Sequence, residues 1–178
     1  MVPEVMINRG QTDDLLAAIG EGEIEITYRN SSGATMLSLA AQKGNIALVE
    51  GLLDLGAQME AKDDLGKTPL MYAAQSKNAD VVRTLLDAGA DVRATDSAVG
   101  TALGWAAAFG NPETVEVLLD ANADVEAAAR MTGFTPLIWA ANVGEAKTVQ
   151  LLVDAGANLE AEDYTPEGST PLMHAART

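Results

Sequence analysis

The most suggestive chemical string in the chain is Gly66-Lys67-Thr68, which resembles the end of a phosphate-cradling loop. Such a loop needs an earlier glycine so that backbone N–H groups can wrap the phosphate, and Ala61 stands where it would fall. Pro69 also removes a donor from the helix start that would follow. The string therefore reads as a turn. His174 is the sole histidine; a general base needs a partner within hydrogen-bond reach, and the sequence assigns no serine or acid constellation around it. The paired acids Asp63–Asp64 and Glu162–Asp163 lack the ligand spacing of a calcium loop. Asn30-Ser31-Ser32 is a glycosylation sequon, meaningful only in a secreted chain. The absence of cysteine excludes a disulfide framework, a thiolate zinc site and a cysteine nucleophile. No catalytic, metal or cofactor site is expected, and the chain reads as a non-enzyme.

What the residues do show is a period. The segments TMLSLAA, TPLMYAA, TALGWAA, TPLIWAA and TPLMHAA place threonines at Thr35, Thr68, Thr101, Thr135 and Thr170, spaced 33, 33, 34 and 35 residues apart. The pairs Leu52–Leu53, Leu85–Leu86, Leu118–Leu119 and Leu151–Leu152 run in phase, each ahead of a Gly-Ala or Asn-Ala turn. Within residues 62–94, Gly66 suits a turn because it takes a positive φ without strain. Thr68 fits a helix N-cap and Pro69 the first helical position, where a missing N–H costs nothing. Leu70, Ala73 and Ala74 share one face of a first helix, by spacings of three and four. Asn78 fits a second N-cap, Val82, Leu85 and Leu86 a second apolar face, and Gly89 a C-cap.

Each period is thus two short antiparallel helices with a projecting turn. Neither helix buries both flanks alone, so neighbours must stack into an all-α solenoid. The alanine pairs from Ala40–Ala41 to Ala175–Ala176 let helices approach closely, and leucines fill the space between. The periods divide the chain into a degenerate capping repeat at 1–29, repeats at 30–61, 62–94, 95–127 and 128–161, and an incomplete repeat at 162–178. In the first, Leu15, Ala18 and Ile19 take the places of Val49, Leu52 and Leu53. The last stops inside a first helix, as either a minimal half-repeat cap or a chain cut from a longer protein.

Composition agrees. Apolar residues make up 48% of the chain but aromatics only 4%, so alanine, leucine and valine supply the core. No apolar run is long enough to span a membrane, and the start carries Glu4 without the apolar core of a secretory signal. A cytoplasmic setting is expected. The net charge of −15, from 26 acids against 11 bases, repels phosphate backbones and argues against nucleic acid as partner.

The segments DLGKTPLMYAA with VVRTLLDAGADVRA, and RMTGFTPLIWAA with KTVQLLVDAGANLEA, resemble the ankyrin repeat family. The resemblance covers about residues 30–178. It implies an ankyrin-repeat solenoid with β-turn or hairpin loops along its inner edge, and protein binding as the usual activity. Three departures stand out. The family's histidine after T-P-L is replaced by Ser38, Met71, Gly104, Ile138 and Met173. Val99 takes the turn glycine's place, with Gly100 one position later, which predicts a reshaped third turn. One extra residue before Thr135 and two before Thr170 predict longer fourth and fifth turns.

In such a fold the turn tips and first-helix ends line a concave face where another protein or a peptide would sit. Those positions carry Lys67 among polar early residues, then Ala98, Phe109, Met131, Phe134 and Val143. An aromatic and apolar patch with a polar surround is the usual make-up of a binding hot spot. The alternative for Phe109 and Phe134 is burial against neighbouring repeats. Asp54, Asp87, Asp120 and Asp154 recur near the outer end of each second helix, away from that face. The leading expectation is a protein-interaction module. The alternative is a regulatory or targeting segment of a larger enzyme, channel or effector. A monomer is expected, with self-association through Leu172 and Met173 left open.

Overall fold

The computed structural model describes residues 2–177. Met1 and Thr178, the outer limits of the expected first and last repeats, lie outside the described residues. The chain divides into two compact units, Met1–Asp91 and Val92–Thr178. Among the described residues there are eleven helices and no strand, only one isolated antiparallel bridge between Arg29 and Thr35.

The first unit holds α1 (Pro3–Arg9), α2 (Thr12–Gly20), α3 (Met36–Gln42), α4 (Ile46–Asp54), α5 (Pro69–Ala74) and α6 (Ala79–Asp87). Helices pair along the chain as α1 with α2, α3 with α4 and α5 with α6. Pairs then stack like on like, α3 against α1 and α5, α4 against α2 and α6. The second unit repeats the scheme with α7 (Ala102–Ala108), α8 (Pro112–Asp120), α9 (Pro136–Val143), α10 (Ala146–Asp154) and α11 (Pro171–Ala175). Here α9 packs between α7 and α11, and α8 packs on α10.

The helices are short because each is punctuated chemically. Thr35, Thr101 and Thr135 hold extended backbone at the N-cap, and each side chain accepts the N–H three residues on. Thr68 has the same backbone conformation, but its buried Oγ1 has no partner and nothing in the structure explains the difference. Asn45 and Asn78 cap the second helices α4 and α6, accepting the N–H groups of Leu48 and Asp80 respectively. Beyond the second helices the chain turns through left-handed residues, Gly56, Gly89, Asn122 and Gly156, at φ 88°, 99°, 59° and 89°. Asn122 is the non-glycine member, and asparagine bears that region better than most side chains.

The core follows the two predicted faces. Leu70, Ala73 and Ala74 of α5 are buried, as are Val82 and Leu85 of α6, while Leu86 is half-buried. Leu52, Leu85, Leu118 and Leu152 are fully buried. In the fourth repeat the buried position is therefore the second leucine of the doublet, because the extra residue before Thr135 displaces the register. At the N-terminal end Leu15 is fully buried while Ala18 and Ile19 are half-buried.

Candidate partner-binding surface

The turns that precede each first helix share one construction. A backbone N–H at the turn's start bonds to a carbonyl past its tip: Asn30 to Ala34, Asp63 to Lys67, Asp96 to Gly100, Ala129 to Phe134 and Asp163 to Ser169. The span grows at the fourth turn and again at the fifth, where the additional residues stand. Inside the loop, the side chain of the starting residue satisfies the backbone. The Asp96 Oδ1 atom accepts the N–H groups of Ala98, Val99 and Gly100 at 3.0, 3.0 and 2.8 Å. Asn30 does the same for Ser32 and Ala34 through its amide oxygen.

The second carboxylate oxygen ties the turn to the helix behind it. Asp63 Oδ2 accepts the Tyr72 hydroxyl at 2.7 Å, and Asp96 Oδ2 the Trp105 indole N–H at 2.6 Å. Asp163 Oδ2 accepts from His174 Nε2 at 2.9 Å. Tyr72, Trp105 and His174 share one repeat position, so His174 is a packing and latching residue, 5% exposed. These bonds leave a mark on the acids and phenols involved. Burial and then the Asp63 contact push the Tyr72 phenol above its ordinary range. Burial would raise the Asp163 carboxyl, but the Thr165 hydroxyl, the Ser169 N–H and His174 outweigh it and hold it well below the usual range.

The turns also touch one another within each unit. In the first, the Asp64 N–H donates to Ser32 O at 3.1 Å, and a Cβ on Gly33 would fall 2.5 Å from Asp64 Oδ1. In the second, the Tyr164 N–H donates to Thr132 O at 2.8 Å, and a Cβ on Gly133 would fall 2.5 Å from the Tyr164 ring. Close approach at the tips thus requires glycine at both positions, whose φ values of 77° and 73° already favour it.

The candidate contact residues occupy different depths. Phe109 ends α7 half exposed, its ring 5.9 Å from that of Trp105. Met131 is 77% exposed at the tip of the fourth turn, and Val143 is exposed at the end of α9. A Cβ on Gly110 would lie 3.5 Å from Val143 Cγ1, which brings the ends of α7 and α9 side by side. Phe134 instead leans inward, half-buried, with its centroid 4.8 Å from both Trp139 and His174. Ala98 is half-buried at the third turn. Lys67 is 8% exposed, its ammonium 3.9 Å from the centre of the Tyr72 ring, where the cation meets the negative ring face. Tyr164, 66% exposed beside Met131's turn, joins the surface without having been singled out from the sequence. Its place next to Asp163 at the longest turn's tip was the available signal.

Elsewhere, Asp54, Asp87, Asp120 and Asp154 each end a second helix and are exposed. Leu172 and Met173 are exposed on α11. Among the described residues no three His, Cys, Asp or Glu side chains gather to hold a metal, and no helix is long and apolar enough to cross a membrane.

The family described as ankyrin repeats in three copies matches residues 5–96 and 103–178. No curated protein matches the chain. Ankyrin repeats are generally protein–protein interaction modules and typically non-catalytic. The paired helices, the stacked turns and a family match over nearly the whole length converge: the chain belongs to the ankyrin repeat family.

Proposed function

We propose that the chain holds another protein or a peptide on the turn tips and first-helix ends of residues 92–178, the family's inner face. Phe109, Met131 and Val143 are its apolar anchors, with Tyr164 beside them. The observation that carries this reading is their exposure: three large apolar side chains stand in water, Phe109 and Val143 at helix ends that lie side by side and Met131 at the tip of the fourth turn. Apolar and aromatic anchors ringed by polar groups are what partner-binding centres are made of. Phe134 supports the surface from behind through Trp139 and His174, and Ala98 leaves room at the third turn.

The test is a side-by-side capture from source lysate using the original chain, Phe109→Ala/Met131→Ala, and Asp120→Asn/Asp154→Asn. The apolar double variant should lose a protein that the other two retain, with its unfolding free energy within about 0.5 kcal/mol of the original, as for surface changes generally. A protein lost only with the aspartate variant would sink the reading and move the contact to the second-helix ends.

A further inference from the structure

The fourth repeat breaks the latch that three others share. Trp139 occupies the position of Tyr72, Trp105 and His174, yet its buried Nε1 has no hydrogen-bond partner. The cause is in the turn, where Ala129, fully buried, stands in the register of Asp63, Asp96 and Asp163. The turn has found other acceptors for its backbone: Gly133 N–H bonds to Ala129 O at 2.8 Å, and Phe134 N–H to Thr132 Oγ1 at 3.2 Å. Among the buried side-chain atoms of this turn and of α9, the indole donor remains unmet. A buried polar group without a partner is rare and costly, so an acceptor from outside the chain is favoured there.

A second observation says what kind. From Ala127 to Gly144 the chain carries no acid and one base, Arg130, although its net charge is −15. The second, third and fifth turns each contain at least one aspartate. Arg130 is exposed and, among the described residues, makes no ion pair. The fourth turn is thus a cationic point in an acidic protein, directly beside a missing carboxylate. A guanidinium and an N–H donor together select a carboxylate over water or a neutral carbonyl.

We infer that the fourth turn is a carboxylate-binding site, in which an incoming carboxylate takes the place that aspartate holds in the sister repeats, accepts the Trp139 N–H and pairs with Arg130. Phe134 packs on the indole with centroids 4.8 Å apart and is only half-buried, so it is the side chain that moves aside on entry. The carboxylate comes either from a small free acid or from an aspartate or glutamate of a bound protein. This inference does not depend on the apolar anchors at Phe109 and Val143.

The indole N–H signals of a nitrogen-15-labelled chain test it directly, because Trp105 and Trp139 are its two tryptophans and Trp105, already bonded to Asp96, is an internal reference. Sodium formate and N-acetyl-aspartate amide are titrated against sodium chloride at equal ionic strength. The Trp139 signal should shift saturably with formate while Trp105 stays in place. Saturation by the capped aspartate as well assigns a site wide enough for a partner's side chain; saturation by formate alone assigns a small free acid. Arg130→Gln should raise the apparent Kd several-fold, and Ala129→Asp should abolish the response by filling the site from within. If Ala129→Asp does not fold, Arg130→Gln alone decides. A Trp139 signal that follows chloride equally, or is indifferent to Arg130→Gln, overturns the assignment.

Discussion

Replacing Asp96 by alanine removes the acceptor that holds both the third turn and the helix behind it. Its carboxylate, 5% exposed, takes three backbone N–H groups and the Trp105 indole. The Val99 and Gly100 bonds are buried, whereas the Ala98 and indole bonds are partly so and can find water. Each buried donor left unmet costs about 1–3 kcal/mol, and the relief of no longer burying a charge offsets part of the sum. The expected loss for Asp96→Ala is about 3–4 kcal/mol. Asp96→Asn keeps one acceptor oxygen but turns a donor toward the indole, so its loss should be about 1–2 kcal/mol. Urea unfolding followed by both tryptophan fluorescence and far-ultraviolet circular dichroism measures these values. Divergence of the two probes would show that the third repeat opens ahead of the rest, as stacked repeats allow. A loss below about 1 kcal/mol for Asp96→Ala would refute the reasoning, since it would mean that the turn amides do not need the carboxylate.

Leu85→Ala empties a fully buried site in α6 and should cost about 2–5 kcal/mol in urea unfolding, with the slope unchanged. Asn122→Gly should stabilise by about 0.5 kcal/mol, seen as a higher melting temperature, because glycine takes the φ of 59° without strain. Asp163 contributes stability as a charged carboxylate whose folded pKa is depressed, so that contribution is complete above the unfolded value near pH 4 and fades as pH falls toward the folded one. The stability gap between the original chain and Asp163→Asn should therefore shrink steadily between about pH 5 and pH 2, measured by denaturant unfolding at each pH; a gap independent of pH would contradict the assignment.

Much of the fold was legible because it rests on local chemistry repeated in phase. Threonine before proline, asparagine before a second helix and glycine after it are signals that act over a few residues. The period then multiplies them. What could not be read is what depends on a neighbouring repeat. Phe109 and Phe134 are the same residue type at adjacent first-helix borders, yet one stands half in water and the other lies between Trp139 and His174. Phe109 follows the end of α7, whereas Phe134 precedes the N-cap of α9 and there meets both Trp139 of its own helix and His174 of the following repeat. Lys67 looked like a surface cation, but Tyr72 five positions later offers its ring as a seat. The latch itself crosses from turn to helix, nine residues in the second and third repeats and eleven in the fifth. A search for aspartates followed at that interval by a Tyr, Trp or His donor would have exposed it, and Ala129 with it.

Two departures from the family pattern that stood apart in the sequence are one event in the structure. In the first two turns the glycine sits three residues after the starting Asn or Asp, while in the third Val99 holds that place and Gly100 follows. The displaced glycine takes a φ of 104°, and a Cβ there would approach the Ala129 backbone at 3.4 Å. Val99 is thereby turned inward, 7% exposed, and its carbonyl oxygen comes within 2.8 Å of where a Cβ on residue 104 would stand. Residue 104 must be glycine for that reason, although glycine inside a helix costs about 1 kcal/mol against alanine. The family histidine is missing here because there is no room for any side chain, so its loss follows from the turn rather than from drift. Phe109 ends the same helix. The exposed anchor of the proposed binding surface is therefore positioned by a turn whose own shape was set by exchanging a glycine and a valine.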